Sequence, residues 1–112
     1  MVMGKDKSYT WDYSEKSDIL NVRKLGKKIA GSAELGDFSL DFDQNGNVVG
    51  LEIMNASEFF LDVGITCLSE IKTAELLIKP RGNILTVAVK LVLPGIERVV
   101  PIPAPVVAEI SP

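Results

Sequence analysis

The passage that most constrains this chain is residues 37–53. Phe38, Leu40 and Phe42 alternate with Asp37, Ser39, Asp41 and Asp43; after Gln44-Asn45-Gly46-Asn47, Val49, Leu51 and Ile53 alternate with Val48, Gly50 and Glu52. Successive side chains leave a strand on opposite sides, so period-two alternation marks a strand with one buried face. Asn-Gly between two such runs is a strong hairpin signal, because both residues tolerate positive φ. The expected hairpin is apolar on one face and acidic on the other.

The flanking segments extend a β pattern. Tyr9, Trp11 and Tyr13 alternate with Thr10 and Asp12, and Leu20 and Val22 alternate with Asn21 and Arg23. A polar stretch over 14–17 separates them, which predicts a second hairpin. Residues 25–36 hold Gly26, Gly31 and Gly36 and read as a connection with a short edge strand around 29–34. At Met54 the period changes. Asn55 with Glu58 three residues on forms a capping box, Met54 and Phe59 stand where a hydrophobic staple would, and Gly64 is a stop. A short helix is expected there, with Phe59, Phe60 and Val63 packing it on the sheet.

Beyond it, 71–79 reads as a strand with Ala74, Leu76 and Ile78 opposite Glu75, Leu77 and Lys79. Pro80-Arg81-Gly82-Asn83 reads as a turn. Residues 84–93 are apolar on both faces apart from Thr86 and Lys90, the pattern of a strand covered on both sides. Pro94-Gly95 is a further turn and 96–102 a last strand, giving a meander that extends the sheet or crosses to a partner subunit. Pro101, Pro103, Pro105 and Pro112 rule out a central strand in the tail. The tail is expected to be an extended edge or polyproline-like arm that docks on its own domain or on a neighbouring subunit. The fold class is α+β, predominantly β: antiparallel hairpins and a meander with one short helix packed on the sheet. Residues 1–112 form a single domain.

Charge and composition narrow the function. The net charge is −3, and the basic cluster Arg23, Lys24, Lys27 and Lys28 surrounds Gly26 as a hairpin turn would, so no nucleic-acid partner is expected. No apolar run reaches ~18 residues, so no membrane span is expected. Residues 1–11 have no apolar core of a signal peptide, and a cytoplasmic location follows as the expectation. A mean hydropathy of +0.22 is rather apolar for so small a chain and points to a subunit interface or a covered sheet face. The chain has one cysteine, Cys67, and no histidine, which excludes Ser-His-Asp and Cys-His devices and the usual zinc sites. An acid/base pair from Asp41, Asp43 and Glu52 is formally open, but exposed hairpin carboxylates keep ordinary pKa values. No catalytic residue or cofactor is assigned, and the chain is not expected to be an enzyme.

One motif resembles a site. Asp41, Asp43, Asn45, Gly46 and Glu52 match the spacing of a calcium loop, in which short oxygen side chains and a bidentate Glu wrap a hard cation. That loop needs a helix on each side, whereas here both flanks alternate as strands. The reading is a solvated acidic hairpin face, with Asp41, Asp43, Asn45 and Glu52 as ligands of at most a weak divalent-metal site.

The blocks "YSEKSDILNVR" and "LDFDQNGNVVGLEIMNAS" resemble the family catalogued as domain of unknown function 2283. The likeness spans residues 9–62. It implies four short strands packed by a following helix, often in a dimer or larger oligomer, and it brings no established activity. The apolar segment 65–112 lies outside it. The functional expectation is a non-enzymatic oligomeric assembly or protein-binding module, a homodimer first, with a protein partner in the second case. The alternatives are a weak Ca²⁺ or Mg²⁺ binder on the acidic hairpin and an antitoxin-like small regulator.

Overall fold

The computed structural model describes residues 2–5, 8–103 and 106–107. The first half forms one antiparallel sheet from β1 (Val2–Lys5), β2 (Tyr9–Ser14), β3 (Ile19–Lys24), β4 (Gly31–Leu35), β5 (Phe38–Phe42) and β6 (Val48–Met54), in the order β1-β2-β3-β6-β5-β4. Both expected hairpins form. Alternation sorts the side chains into cross-strand rows. Trp11, Val22, Leu51 and Leu40 make one inner row, and Tyr13, Leu20, Ile53 and Phe38 the next. All of these are buried except Phe38, which is half-buried. Asn21, Glu52, Ser39 and Glu34 lie on the opposite, polar face.

Two features depart from simple alternation. The register slips at Asp41/Phe42, where Phe42 faces Val48, and both Val48 and Val49 are buried. A β-bulge turns the added residue inward too. The strand β1 was not anticipated. Its Gly4 faces Trp11, and a Cβ there would collide with the indole. The bare glycine gives the Trp11 ring its place.

The second half does not extend this sheet; it covers it. Strands β7 (Thr73–Arg81), β8 (Ile84–Leu93), β9 (Ile96–Pro101) and β10 (Val106–Val107) form a second sheet in which β7 lines one side of β8 while β9 and β10 line the other. The strand β7 packs across β2, β3 and β6, and the two sheets share one core. Val100 and Ile102 belong to that core. Pro80 and Arg81 are strand, not turn: β7 is an edge, where a missing N–H costs no ladder bond, and only Gly82-Asn83 turns the chain. Nor is β8 covered on both sides. Val87, Val89, Leu91 and Leu93 are buried, whereas Ala88, Lys90 and Val92 are half-buried. Charge keeps that second face wet, since Lys90 Nζ reaches Glu75 at 3.6 Å and Glu97 at 2.8 Å. Of the tail, Val106 and Val107 pair with Leu85 and Ile84; residues 104–105 and 108–112, on which the rest of the docking-arm expectation falls, lie outside the described residues.

Helix α1 (Ala56–Leu61) closes the end of the core with Phe60 fully buried. Phe59 meets Phe38 edge-on at 5.1 Å between ring centroids. Met54 and Val63 face solvent instead of packing the helix down. Gly64 (φ +83°) ends the helix as expected, with Ile65 N–H donating to Phe60 O at 2.8 Å. A 3₁₀ turn (Leu68–Glu70) leads into β7. The described residues are predominantly β, with this one short α-helix. Among the described residues no helix is long and apolar enough to cross a membrane.

Candidate functional site

The hairpin of β5 and β6 spreads the four predicted ligands apart. Asp41 lies on the outer face above Gly50, where its Oδ1 accepts Ser32 Oγ at 2.6 Å and its Oδ2 stands 3.9 Å from Arg23 Nη2. Glu52 is on the same face, one diagonal step along β6, between Asn21 and Ser39. Asp43 is beyond the bulge, in the turn. Its Oδ1 accepts the amides of Asn45 and Asn47, each at 2.9 Å, and its Oδ2 accepts Asn47 Nδ2 at 3.3 Å. Those bonds, the Asn47 amide first, hold the Asp43 carboxyl below its usual range, with Lys27 adding to the effect. Asn45 is exposed, and its amide is committed to Asp43. The oxygens of Asp43 thus fold the turn, as an Asx motif does. Among the described residues no group of three or more acidic, cysteine or histidine side chains gathers where it could hold an ion.

A second locus is a cleft of about 410 Å³ between the turn after β2, α1 and the 3₁₀ turn, lined by residues including Tyr13, Glu15, Ser57, Glu58, Ile65 and Ser69. Beside it stands Asp18, in the left-handed conformation at φ +55°. Tyr13 Oη donates to Asp18 Oδ1 at 2.7 Å, Ser57 N–H donates to the same oxygen at 2.9 Å, and Ser57 Oγ donates to Oδ2 at 2.6 Å. The Asp18 carbonyl accepts Ala56 N–H at 3.1 Å. Asp18 is therefore the cap of α1, in place of the capping box expected at Asn55. Asn55 takes a left-handed conformation, makes no capping bond, and donates Nδ2 to Asp37 Oδ1 at 3.3 Å.

The electrostatics here are those of a fixed tie. Burial raises the Asp18 carboxyl, but the bonds from Ser57 and Tyr13 outweigh it and hold the group below its usual range. Burial, with Asp18 alongside, pushes the Tyr13 phenol up to about 12. One group stays ionised and the other protonated across the neutral range, so neither is set to move a proton there. Sequence reasoning missed Asp18 because its partner is 39 residues away. The only local sign was an Asp closing a turn, a position that tolerates positive φ.

Fold and site define a class: among the described residues, a small antiparallel β protein of two packed sheets with one short helix, in which Asp18, Asp41 and Asp43 are hydrogen-bonded within the fold. The chain belongs to the family described as "Protein of unknown function (DUF2283)", whose model matches residues 11–57, from β2 to the first turn of α1. It is similar to "Uncharacterized protein MJ0789" of Methanocaldococcus jannaschii, with 38% identity over 82 residues, covering 73% of this chain and 71% of that protein. That match is longer than the family-model match, so the likeness continues beyond it. No solved structure matches the chain.

Proposed function

We propose that the protein is a non-enzymatic assembly module, and that its working form is a homodimer. The observation that supports this reading is apolar surface left open beside sheet edges. Leu35 on β4 is 37% exposed, Ile29 just before it 43%, and Ile96 and Val99 on β9 are 42% and 54% exposed. Each edge carries two such side chains close together, and a subunit interface would take them out of water. The polar clusters support the same reading from the other side, since Asp18, Asp41 and Asp43 are committed to hydrogen bonds within the fold. The test is the mass of the full chain by light scattering. Twice the 12.1 kDa chain mass is expected, and 12.1 kDa throughout the micromolar range would refute the reading.

A further inference from the structure

The free edges of the two sheets are not equivalent. An antiparallel strand points its backbone groups alternately to either side. Met54 N–H donates to Asp37 O at 2.8 Å and Asp43 N–H to Asn47 O at 2.9 Å, so odd residues of β5 face β6. Ala30 N–H donates to Phe42 O at 2.7 Å, so even residues of β5 face β4. In β4, Gly31, Ala33 and Leu35 lie opposite those even residues and turn their backbone groups inward. Ser32 and Glu34 therefore present N–H and C=O to solvent.

The other edges are closed or blunted. On β7, Tyr9 Oη donates to Leu76 O at 3.1 Å, and Pro80 has no N–H to offer. On β9, the two-residue turn Pro94-Gly95 places Glu97, Val99 and Pro101 on the outward phase, and Pro101 removes a donor there. On β1, a four-residue strand, Met3 and Lys5 face outward, and the exposed Lys5 charge blunts that edge. Among the described residues, β4 combines an open edge free of proline with two neighbouring apolar side chains, Ile29 and Leu35, that a second copy could cover.

We propose that β4 pairs antiparallel with β4 of a second copy of this chain, about a twofold axis through Ala33. This deepens the homodimer reading and rests on it. Ser32 exchanges both backbone bonds with the partner's Glu34, and Glu34 with the partner's Ser32. Ala33 meets the partner's Ala33, and Leu35 covers the partner's Gly31. Each Glu34 faces a neutral serine, and the two six-stranded sheets become one continuous sheet. Neighbouring registers are worse. One centred on Glu34 sets two carboxylates face to face, and one centred on Ser32 relies on Ala30, whose N–H already goes to Phe42.

The test uses the full chain with Glu34→Pro, Met3→Pro, and Ala33→Cys combined with Cys67→Ser. Proline at position 34 removes an outward N–H that no internal bond uses. Glu34→Pro is expected to weaken dimerisation at least tenfold by sedimentation, and Met3→Pro to leave it unchanged. In the non-hydrogen-bonded pair at Ala33 the Cα atoms stand about 4.5 Å apart, within disulfide reach. Mild oxidation should therefore link Ala33→Cys/Cys67→Ser into a covalent dimer. The unaltered chain, whose cysteine is Cys67 between α1 and the 3₁₀ turn and not on β4, should not link. If Glu34→Pro fails to fold, the disulfide decides alone. A dimer that survives Glu34→Pro and gives no disulfide, or one that Met3→Pro dissociates, would overturn the β4 seam while leaving the dimer reading intact. A monomeric unaltered chain would overturn both.

Discussion

Replacing Asp18 by Asn tests whether one carboxylate ties the first hairpin to the helix. Asn tolerates the left-handed backbone at φ +55° and keeps one acceptor oxygen, so the change isolates the charge and the second acceptor. The carboxylate accepts three bonds, from Ser57 N–H, Ser57 Oγ and Tyr13 Oη. Hydrogen bonds to charged groups contribute roughly 1.5–3 kcal/mol each when lost outright. Asp18 is partly solvated and water replaces some of what is removed, so the net loss should be about 2 kcal/mol. For a domain of this size that lowers Tm by roughly 8–12 °C. The assay is urea unfolding followed by Trp11, the single tryptophan, which is 6% exposed and two residues from Tyr13. The midpoint should fall with the slope unchanged. The sign of the pH dependence is fixed. A carboxyl held below its ordinary value stabilises above that value and loses its contribution as pH falls through the folded one. The gap between the two proteins should thus be full at pH 7 and close in acid. A variant within about 0.5 kcal/mol of the unaltered protein at neutral pH, below the usual cost of losing such a cap, would refute the tie.

Gly50→Ala would place a Cβ 2.7 Å from Asp41 Oδ2, so Asp41 must leave Ser32; the expected loss is about 1–3 kcal/mol by the same urea assay. Cutting the chain after Pro94 deletes Val100 and Ile102 from the shared core, and the fragment should show no cooperative thermal transition by circular dichroism. Millimolar Ca²⁺ or Mg²⁺ should move Tm by less than about 1 °C, because Asp41, Asp43, Asn45 and Glu52 do not converge; a larger rise would reveal an ion site on the hairpin.

The strands were legible where one face is buried and the other wet. Phe38–Phe42 and Val48–Met54 carry that alternation with Asn-Gly between them, and they pair as it implies. The bulge at Phe42/Val48 was not legible, since Val48 and Val49 are both apolar and alternation cannot say which is added. The two-faced pattern of Ile84–Leu93 overstated burial, because Lys90 holds its face in water through Glu75 and Glu97, residues on two other strands. The strand Val2–Lys5 was hidden by Gly4, whose packing against Trp11 leaves no side-chain signal. The calcium pattern matched in spacing and failed in geometry: a helix–loop–helix gathers alternate oxygens around one point, whereas a hairpin sends Asp41 to its face and Asp43 into its turn. The cap at Asp18 and the open edge of β4 are products of tertiary arrangement, and no local window contains them.

The account turns on self-association. Sedimentation equilibrium of the full chain, across dilution from high to low micromolar concentration, measures it directly. The account predicts a reversible monomer–dimer equilibrium with a limiting mass twice 12.1 kDa. A single species at the monomer mass at every concentration would contradict it and would leave the open apolar edges without the use given to them here.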